Sequence, residues 1–430
     1  MKRAPNLHIR GGRLIDPANG IDETADLWLS GGRVAAVGDA PSGFAAEETI
    51  DAEGKVVCPG LIDLGAYLRE PGFEHKGTID SEGRAAARGG ITTLVCMPQT
   101  EPVIDTPAVW ELIRRRAKAC GHARVLAMGA LTQGLAGEQL AEMGALKAAG
   151  CVAVTNGRNR LANTLVARRA MEYASTFELP VVLCSEDPHL KAGGVAHEGA
   201  VATRLGLPGI PSAAETVAVA RDLALTEHTG CRSHFHTLST GRAASMIARA
   251  RRDRQPVSAD VAIHQLFLME TDVDGFRAEC RVDPPLRTHA DREQLRQAVA
   301  DGTIEVICSD HQPHEADAKS EPFPATAPGI SGLETLLPLT LKLVEEGVLE
   351  LPQAIARLTA GPARVLGLEA GRLERGASAD LCIFDPETVW IFRAEEMASA
   401  GRNTPFDGWE FRGRVTHTLF EGRITHRLEP

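Results

Sequence analysis

Between residues 1 and 58, short apolar runs alternate with glycine turns. Leu7-His8-Ile9-Arg10 leads into Gly11-Gly12, Leu27-Trp28-Leu29 precedes Gly31-Gly32, and Val34-Ala35-Ala36-Val37 follows. Brief β-rich runs separated by such breakers predict small antiparallel strands. The same texture returns near the other end of the chain, in Asp380-Leu381-Cys382-Ile383-Phe384 and in Val415-Thr416-His417-Thr418-Leu419-Phe420 before Glu421-Gly422. Two β-rich ends around a different middle predict one composite β-domain, a small sandwich drawn from residues 1–58 and 367–430.

The middle, residues 59–366, changes period. Short apolar strands are expected at 61–64, 92–96, 124–128, 151–155, 180–184, 233–237, 260–264 and 304–309, each followed by a helix-length segment. Eight βα units predict an α/β fold, a (β/α)8 TIM barrel with its active site at the C-terminal strand ends. One connecting helix is marked in detail. Ser212 with Glu215 forms a capping-box pattern, Val217, Ala220, Ala224 and Leu225 make an apolar face, and Gly230 supplies a stop. A doubly wound open sheet shares this periodicity, but no G-x-G-x-x-G follows the first strand.

Composition narrows the function. The chain has 430 residues, 43% of them hydrophobic, enough for a barrel with an appended module. A formal net charge of −11 argues against nucleic-acid or anionic-membrane partners, which need a concentrated basic surface. The basic runs Arg114-Arg115-Arg116 and Arg251-Arg252 fall in helix-like segments and read as solvated faces. Nine cysteines are scattered with no C-x-x-C pair, so neither a zinc ribbon nor a disulfide framework is indicated and a reducing cytoplasm is expected. Met1-Lys2-Arg3 leads into Pro5 instead of an apolar signal region, and no run approaches the roughly 18 apolar residues of a membrane span.

The most informative stretch ends the first barrel strand: Pro59-Gly60-Leu61-Ile62-Asp63-Leu64-Gly65-Ala66-Tyr67-Leu68-Arg69-Glu70-Pro71-Gly72. It resembles the opening of dihydroorotases in the amidohydrolase superfamily, where a His-x-His pair binds zinc directly before Leu-Arg-x-Pro-Gly. Gly65 and Tyr67 stand at the two histidine positions. The resemblance runs through segments with no chemistry of their own, among them Arg84-Ala85-Ala86-Ala87-Arg88-Gly89-Gly90-Ile91-Thr92-Thr93, Gly332-Leu333-Glu334-Thr335 and Asn403-Thr404-Pro405-Phe406.

What the resemblance implies for the site is loss. Zinc hydrolases need imidazole, carboxylate or thiolate ligands converging on the metal. On strand four Asn156 stands where the family carries an aspartate or a carboxylated lysine, and on strand five Cys184 replaces a histidine. On strand six Thr237 occupies the zinc-histidine position; His236 is one residue early, a shift that on a strand turns the side chain to the opposite face. Strand eight keeps Ser309-Asp310-His311-Gln312-Pro313-His314, with Asp310 at the family's general acid/base position. Arg69 and His314 match substrate-gripping positions, whereas Gln99 and Asp283 replace substrate-binding asparagines, so an anionic substrate would meet a like charge at Asp283.

On this resemblance no zinc, no other cofactor and no catalytic residue are expected. Asp310, Arg69 and His314 would be vestigial, and Gly65, Tyr67, Asn156, Cys184 and Thr237 degenerate. The chain resembles the noncatalytic dihydroorotase-like subunits that bacteria assemble with aspartate transcarbamoylase, which implies a homodimer inside a larger hetero-oligomer serving pyrimidine biosynthesis. The alternative is an active zinc enzyme, a dihydroorotase or hydantoinase-like amidohydrolase with a site rebuilt from Cys184, His236 and Asp310. A third reading is a regulatory module binding a ligand around Arg69 and His314. Cys184 also reads as a small buried hydrophobe, and His234 and His236 as hydrogen-bonded strand histidines. His75, His122, His189 and His197 are expected at the surface. Residues 314–328 correspond to the family's mobile loop, disordered or recruited into a contact here.

Overall fold

The computed structural model describes residues 4–429; Met1-Lys2-Arg3, read above for targeting, lies outside them. One sheet joins strands from both ends of the chain. In spatial order it runs Arg423–Arg427, Glu410–Phe420, Leu381–Ile391, Val56–Pro59, Leu7–Asp16, Ile21–Ser30 and Arg33–Val37, with Glu48–Asp51 also paired to Leu7–Asp16. Leu381–Phe384 pair antiparallel with Val56–Pro59, which sews the C-terminal hairpin to the N-terminal strands. Leu7, Leu29, Leu381 and Leu419 are fully buried in the core beneath this sheet, the alternation that short half-buried strands require.

The second sheet is the barrel. Its eight parallel strands are Leu61–Ala66, Ile91–Cys96, Arg124–Ala130, Ala153–Thr155, Val181–Leu183, Ser233–Phe235, Val257–Ala262 and Val306–Cys308, each at one of the eight expected places. The ring closes between Ala66 and His311, where Tyr67 N donates to His311 O at 2.9 Å. Leu64, Val95, Met128, Val182, Val306 and Cys308 fill the axis, while alternate positions such as Leu61, Leu94 and Val181 pack outward against the helices. Buried Asp63 pins the closing strands by accepting from Ser309 N at 2.8 Å and Ser309 Oγ at 2.5 Å.

Two local expectations are corrected. Strand seven stops at Ala262 and turns into a short 3-10 segment, Ile263–Leu266, instead of running to His264. The helix Ser212–Thr229 ends at Gly230 as expected, but Ser212 makes no capping bond, and the face with Val217, Ala220 and Ala224 is exposed, Val217 to 48%. The opposite face is buried because its polar groups have partners. Glu215 accepts from Ser239 N and Thr240 N, Asp222 from Ser185 Oγ at 2.7 Å, and Thr226 bonds Ser233. A hydrogen-bonded carboxylate can be buried where an unpartnered one cannot.

Candidate functional site

The C-terminal strand ends form a mouth into which most of the singled-out residues converge. Gly65 lies at the end of strand one, and a Cβ built there would stand 2.5 Å from His236 Cε1 and 2.8 Å from Nε2. The His236 ring therefore fills the space that a side chain at 65 would need. Strand six stops at Phe235, so the alternation expected to send His236 away from the mouth does not reach it; the backbone breaks instead at Thr237, whose φ is 55°. The Thr237 hydroxyl donates to its neighbour's carbonyl, His236 O, at 2.8 Å.

Both strand-six histidines are hydrogen-bonded, as expected, and the partner is Asp260. His236 Nδ1 lies 2.6 Å and His234 Nε2 2.8 Å from the same oxygen, Oδ2, while Oδ1 accepts from Thr237 N at 2.6 Å. Burial alone would raise the Asp260 carboxyl, but the two imidazoles outweigh it and hold the pKa well below the usual range. Burial likewise opposes charge on His236, and Asp260 outweighs it to raise the ring's pKa. His236 Nε2 and both ring nitrogens of buried His264 have no hydrogen-bond partner, and burial lowers His264 to about 4.

The other half of the mouth is an ion-pair lattice. Arg158 Nη2 donates to both oxygens of Asp310, at 2.7 Å each, and Gln312 Nε2 lies 3.2 Å from both. Arg160 spans Asp283 at 3.1 and 3.2 Å and Glu186 at 3.1 Å, and Lys191 Nζ reaches Glu186 and Asp283 at 2.8 Å each. Three cations thus neutralise the buried carboxylates of Asp310 and Glu186 and the partly buried one of Asp283. Burial would raise Asp283, but Arg160, Arg158 and Lys191 hold it far below the usual carboxylate range. The like charge expected to meet an anionic substrate at Asp283 is therefore compensated from within the chain.

The turn after strand four aims the two arginines. Asn156 spends its side chain on that turn, accepting from Thr132 Oγ1 at 2.8 Å and donating to Asn159 O at 2.7 Å. Gly157 follows at φ 52°, so close that a Cβ would lie 1.9 Å from Gln99 Nε2. Only glycine permits both the left-handed backbone and that approach. Arg158 then enters the mouth below Tyr67, which is buried, its hydroxyl pushed up by burial.

Arg69 and His314 do meet. Arg69 Nη2 lies 3.2 Å from His314 Nε2, Arg69 Nε donates to Pro313 O at 3.0 Å, and the guanidinium sits 5.3 Å over the Tyr67 ring. Burial, then Arg69 and Lys76, depresses His314 to about 3, so this ring is neutral. Residues 314–328 fold down beside them as two 3-10 turns, Ala316–Lys319 and Phe323–Ala325; Lys319 Nζ donates to Ala278 O at 3.0 Å and Phe323 is buried. Of the four histidines expected at the surface, His197 is buried, because Arg287, itself buried, bonds its Nδ1 at 3.1 Å.

The residues present do not fit a zinc pair. Glycine and threonine at 65 and 237 offer no ligand, and Asn156 is consumed by its turn. Asp310 already has both oxygens on a guanidinium. Among the described residues one grouping, His234, His236 and Asp260, brings three donor atoms within 4.8 Å of one another. Its nitrogens stand 2.6 and 2.8 Å from one carboxylate oxygen, whereas tetrahedral zinc, with bonds of about 2.0–2.1 Å, spaces its ligand atoms roughly 3.3 Å apart. That grouping is built as a hydrogen-bonded unit.

Sequence reading did not single out Arg158, Arg160, Lys191, Asp260 or His264. Two arginines within five residues of strand four's end, in Asn156-Gly157-Arg158-Asn159-Arg160, were the available signal.

Comparisons with known proteins agree with this architecture. A family profile described as dihydro-orotase-like matches residues 54–242, and one described as amidohydrolase family matches residues 330–426. A dihydroorotase-like protein of Pseudomonas aeruginosa is 52% identical over 420 residues, covering 98% of this chain and 99% of that protein. A dihydroorotase of Syntrophotalea carbinolica is 48% identical, with 98% and 99% covered. Among solved structures, L-hydantoinase from Arthrobacter aurescens superposes with a TM-score of 0.88 at 25% identity, covering 98% of this chain and 96% of that one.

Proposed function

As the chain belongs to the dihydroorotase-like family of amidohydrolases, we propose that it is a catalytically silent member, a pseudoenzyme that serves as a structural subunit of aspartate transcarbamoylase in cytoplasmic pyrimidine biosynthesis. The observation that carries the silent reading is the Arg158 guanidinium on both oxygens of Asp310. A general acid/base must be free to take and release a proton within reach of substrate, and this carboxylate is committed to a permanent cation. The ligand positions around it lack the nitrogens that would activate a hydroxide. A fold can keep its core while the site is lost, because function lives in the residues grafted on it.

The assembly role and the homodimer within a larger hetero-oligomer rest on the resemblance. All nine cysteines are free, in keeping with a reducing compartment, and among the described residues no helix is long and apolar enough to cross a membrane. Two assays test the reading: dihydroorotase turnover in both directions with excess zinc, and co-purification with the aspartate transcarbamoylase catalytic chain from the same organism. Absent turnover with a stable co-complex is the expected result; turnover, or two chains that elute apart at micromolar concentration, contradicts it.

The competing reading is a zinc-dependent cyclic amidohydrolase. The dihydroorotase name of a 48% identical relative and the His234-His236-Asp260 grouping favour it. It would require Arg158 to leave Asp310, against their ion pair, and Cys184 to ionise, against its burial.

A further inference from the structure

At the amino-terminal end of barrel strand three, away from the mouth, a cleft of about 810 Å³ opens between the barrel and the composite sheet. Its walls are the Gly31-Gly32 turn, Arg124, the segment 369–378 and Arg423. Five arginines and three glutamates line it, and their pairing is uneven. Arg124 bonds Asp380 at 2.8 Å and faces Glu421 at 3.4 Å; Arg372 is paired with Glu369 and, at 3.1 Å, with Glu374. The glutamates are thus taken by two of the arginines. Among the described residues no carboxylate lies within 4.0 Å of Arg33, Arg375 or Arg423, and Arg423 Nε is buried without a hydrogen-bond partner. In a chain of net charge −11, three guanidiniums without counter-charge on one cleft make a local positive surface that attracts anions.

We propose that this cleft is a binding site for a small multivalent phosphate of the pyrophosphate class. Guanidinium forks match phosphate oxygens in pairs, and the volume lies within the roughly 300–1,000 Å³ of small-ligand sites. Among the described residues the only apolar side chains on the wall are the methyls of Ala4 and Ala377, and these offer no anchor to a hydrophobic peptide. Gly31, Gly32 and Gly376 between the arginines project no side chain; Arg33 Nη1 donates to Gly376 O at 2.7 Å, which leaves Arg375 and Arg423 as the forks turned to a ligand. The site is independent of the silent-homologue reading, since it shares no residue with the mouth.

Calorimetric titration of the full-length chain at near-physiological salt tests it, with sodium pyrophosphate, inorganic phosphate and ATP as separate titrants. Pyrophosphate should bind one to one and at least about tenfold more tightly than inorganic phosphate, the gain of roughly one further charge-assisted hydrogen bond. Equal affinity for ATP would support a site reading the phosphate chain alone, and tighter ATP binding one whose wall also touches the nucleoside. Arg375→Ala with Arg423→Ala should weaken pyrophosphate about a hundredfold, because two guanidinium forks no longer reach the anion, with the thermal midpoint unchanged because neither side chain is in an ion pair. Should that double variant misfold, exposed Arg375→Ala alone must still cost about tenfold. Absence of pyrophosphate binding at millimolar concentration, or binding unaltered by these substitutions, overturns the proposal.

Discussion

Arg158 holds both carboxylate oxygens of Asp310 from a single nitrogen, 2.7 Å to each, across 152 residues of sequence. The guanidinium is a cation the chain supplies to itself, at the carboxylate for which the resemblance expects a metal-linked role. Burial opposes its charge, yet Asp310 and its neighbours raise the Arg158 pKa well above the ordinary value. Breaking such a pair from one side leaves an uncompensated buried charge.

Arg158→Met should therefore destabilise the fold by about 3–5 kcal/mol, read as a lower urea midpoint. Adding Asp310→Asn should recover most of that loss, because the orphaned charge is then gone. Additive losses in the double variant would mean that the two residues are not coupled.

Gly65→His should fail as a restoration. Its Cβ would enter the space of His236 Cε1 at 2.5 Å, and overpacking of this kind typically costs about 1–3 kcal/mol. Pairing it with His236→Ala should return most of the stability by vacating the space. A Gly65→His chain as stable as the parent would show that the ring moves aside freely.

Acid should weaken the fold as three histidines that burial holds neutral are forced to gain protons, an effect partly offset by Glu334, whose carboxyl burial raises to about 7. Burial depresses His264 to about 4, His314 to about 3 and His426 to about 4, below the model-peptide histidine value of about 6.5. Between these limits the unfolded chain binds more protons, so stability rises with pH through the window and is fully present above the unfolded value. It is lost as pH falls, at up to roughly 1.4 kcal/mol per pH unit for each such group. Urea midpoints measured from pH 7 to 4 should fall steadily, and His264→Leu should flatten the slope by about one proton's worth. An unchanged slope would mean that His264 is solvated in the folded state.

The eight barrel strands were legible because most are short, largely apolar and buried runs, and a turn or helix-length segment separates each from the next. The loss at Gly65, Tyr67, Asn156, Cys184 and Thr237 was legible because it needs only residue identity. What replaced the metal site was not. Arg158 sits two residues after Asn156 in sequence, but its partner lies on strand eight, and no local pattern reports that pairing. The buried face of the helix Ser212–Thr229 was misjudged for the same reason. Glu215 and Asp222 look solvent-facing until Ser239, Thr240 and Ser185 are brought to them by other elements. His197 was assigned to the surface because Arg287, 90 residues away, is invisible from its neighbours.

Chelation should leave the chain untouched if its own cations neutralise the mouth. Dialysis against a strong chelator is expected to leave the thermal midpoint unchanged, and subsequent zinc to leave it unraised; a fall of several degrees that zinc restores would reveal a structural metal.

The most direct measurement is the dihydroorotase turnover of the purified chain with excess zinc, followed in both directions beside an active dihydroorotase as control. With Asp310 committed to Arg158 and the ligand positions empty of nitrogen, turnover should not rise above the buffer blank. Zinc-dependent turnover at a rate comparable to the control would contradict the silent reading and return Cys184, His236 and Asp310 to the chemistry.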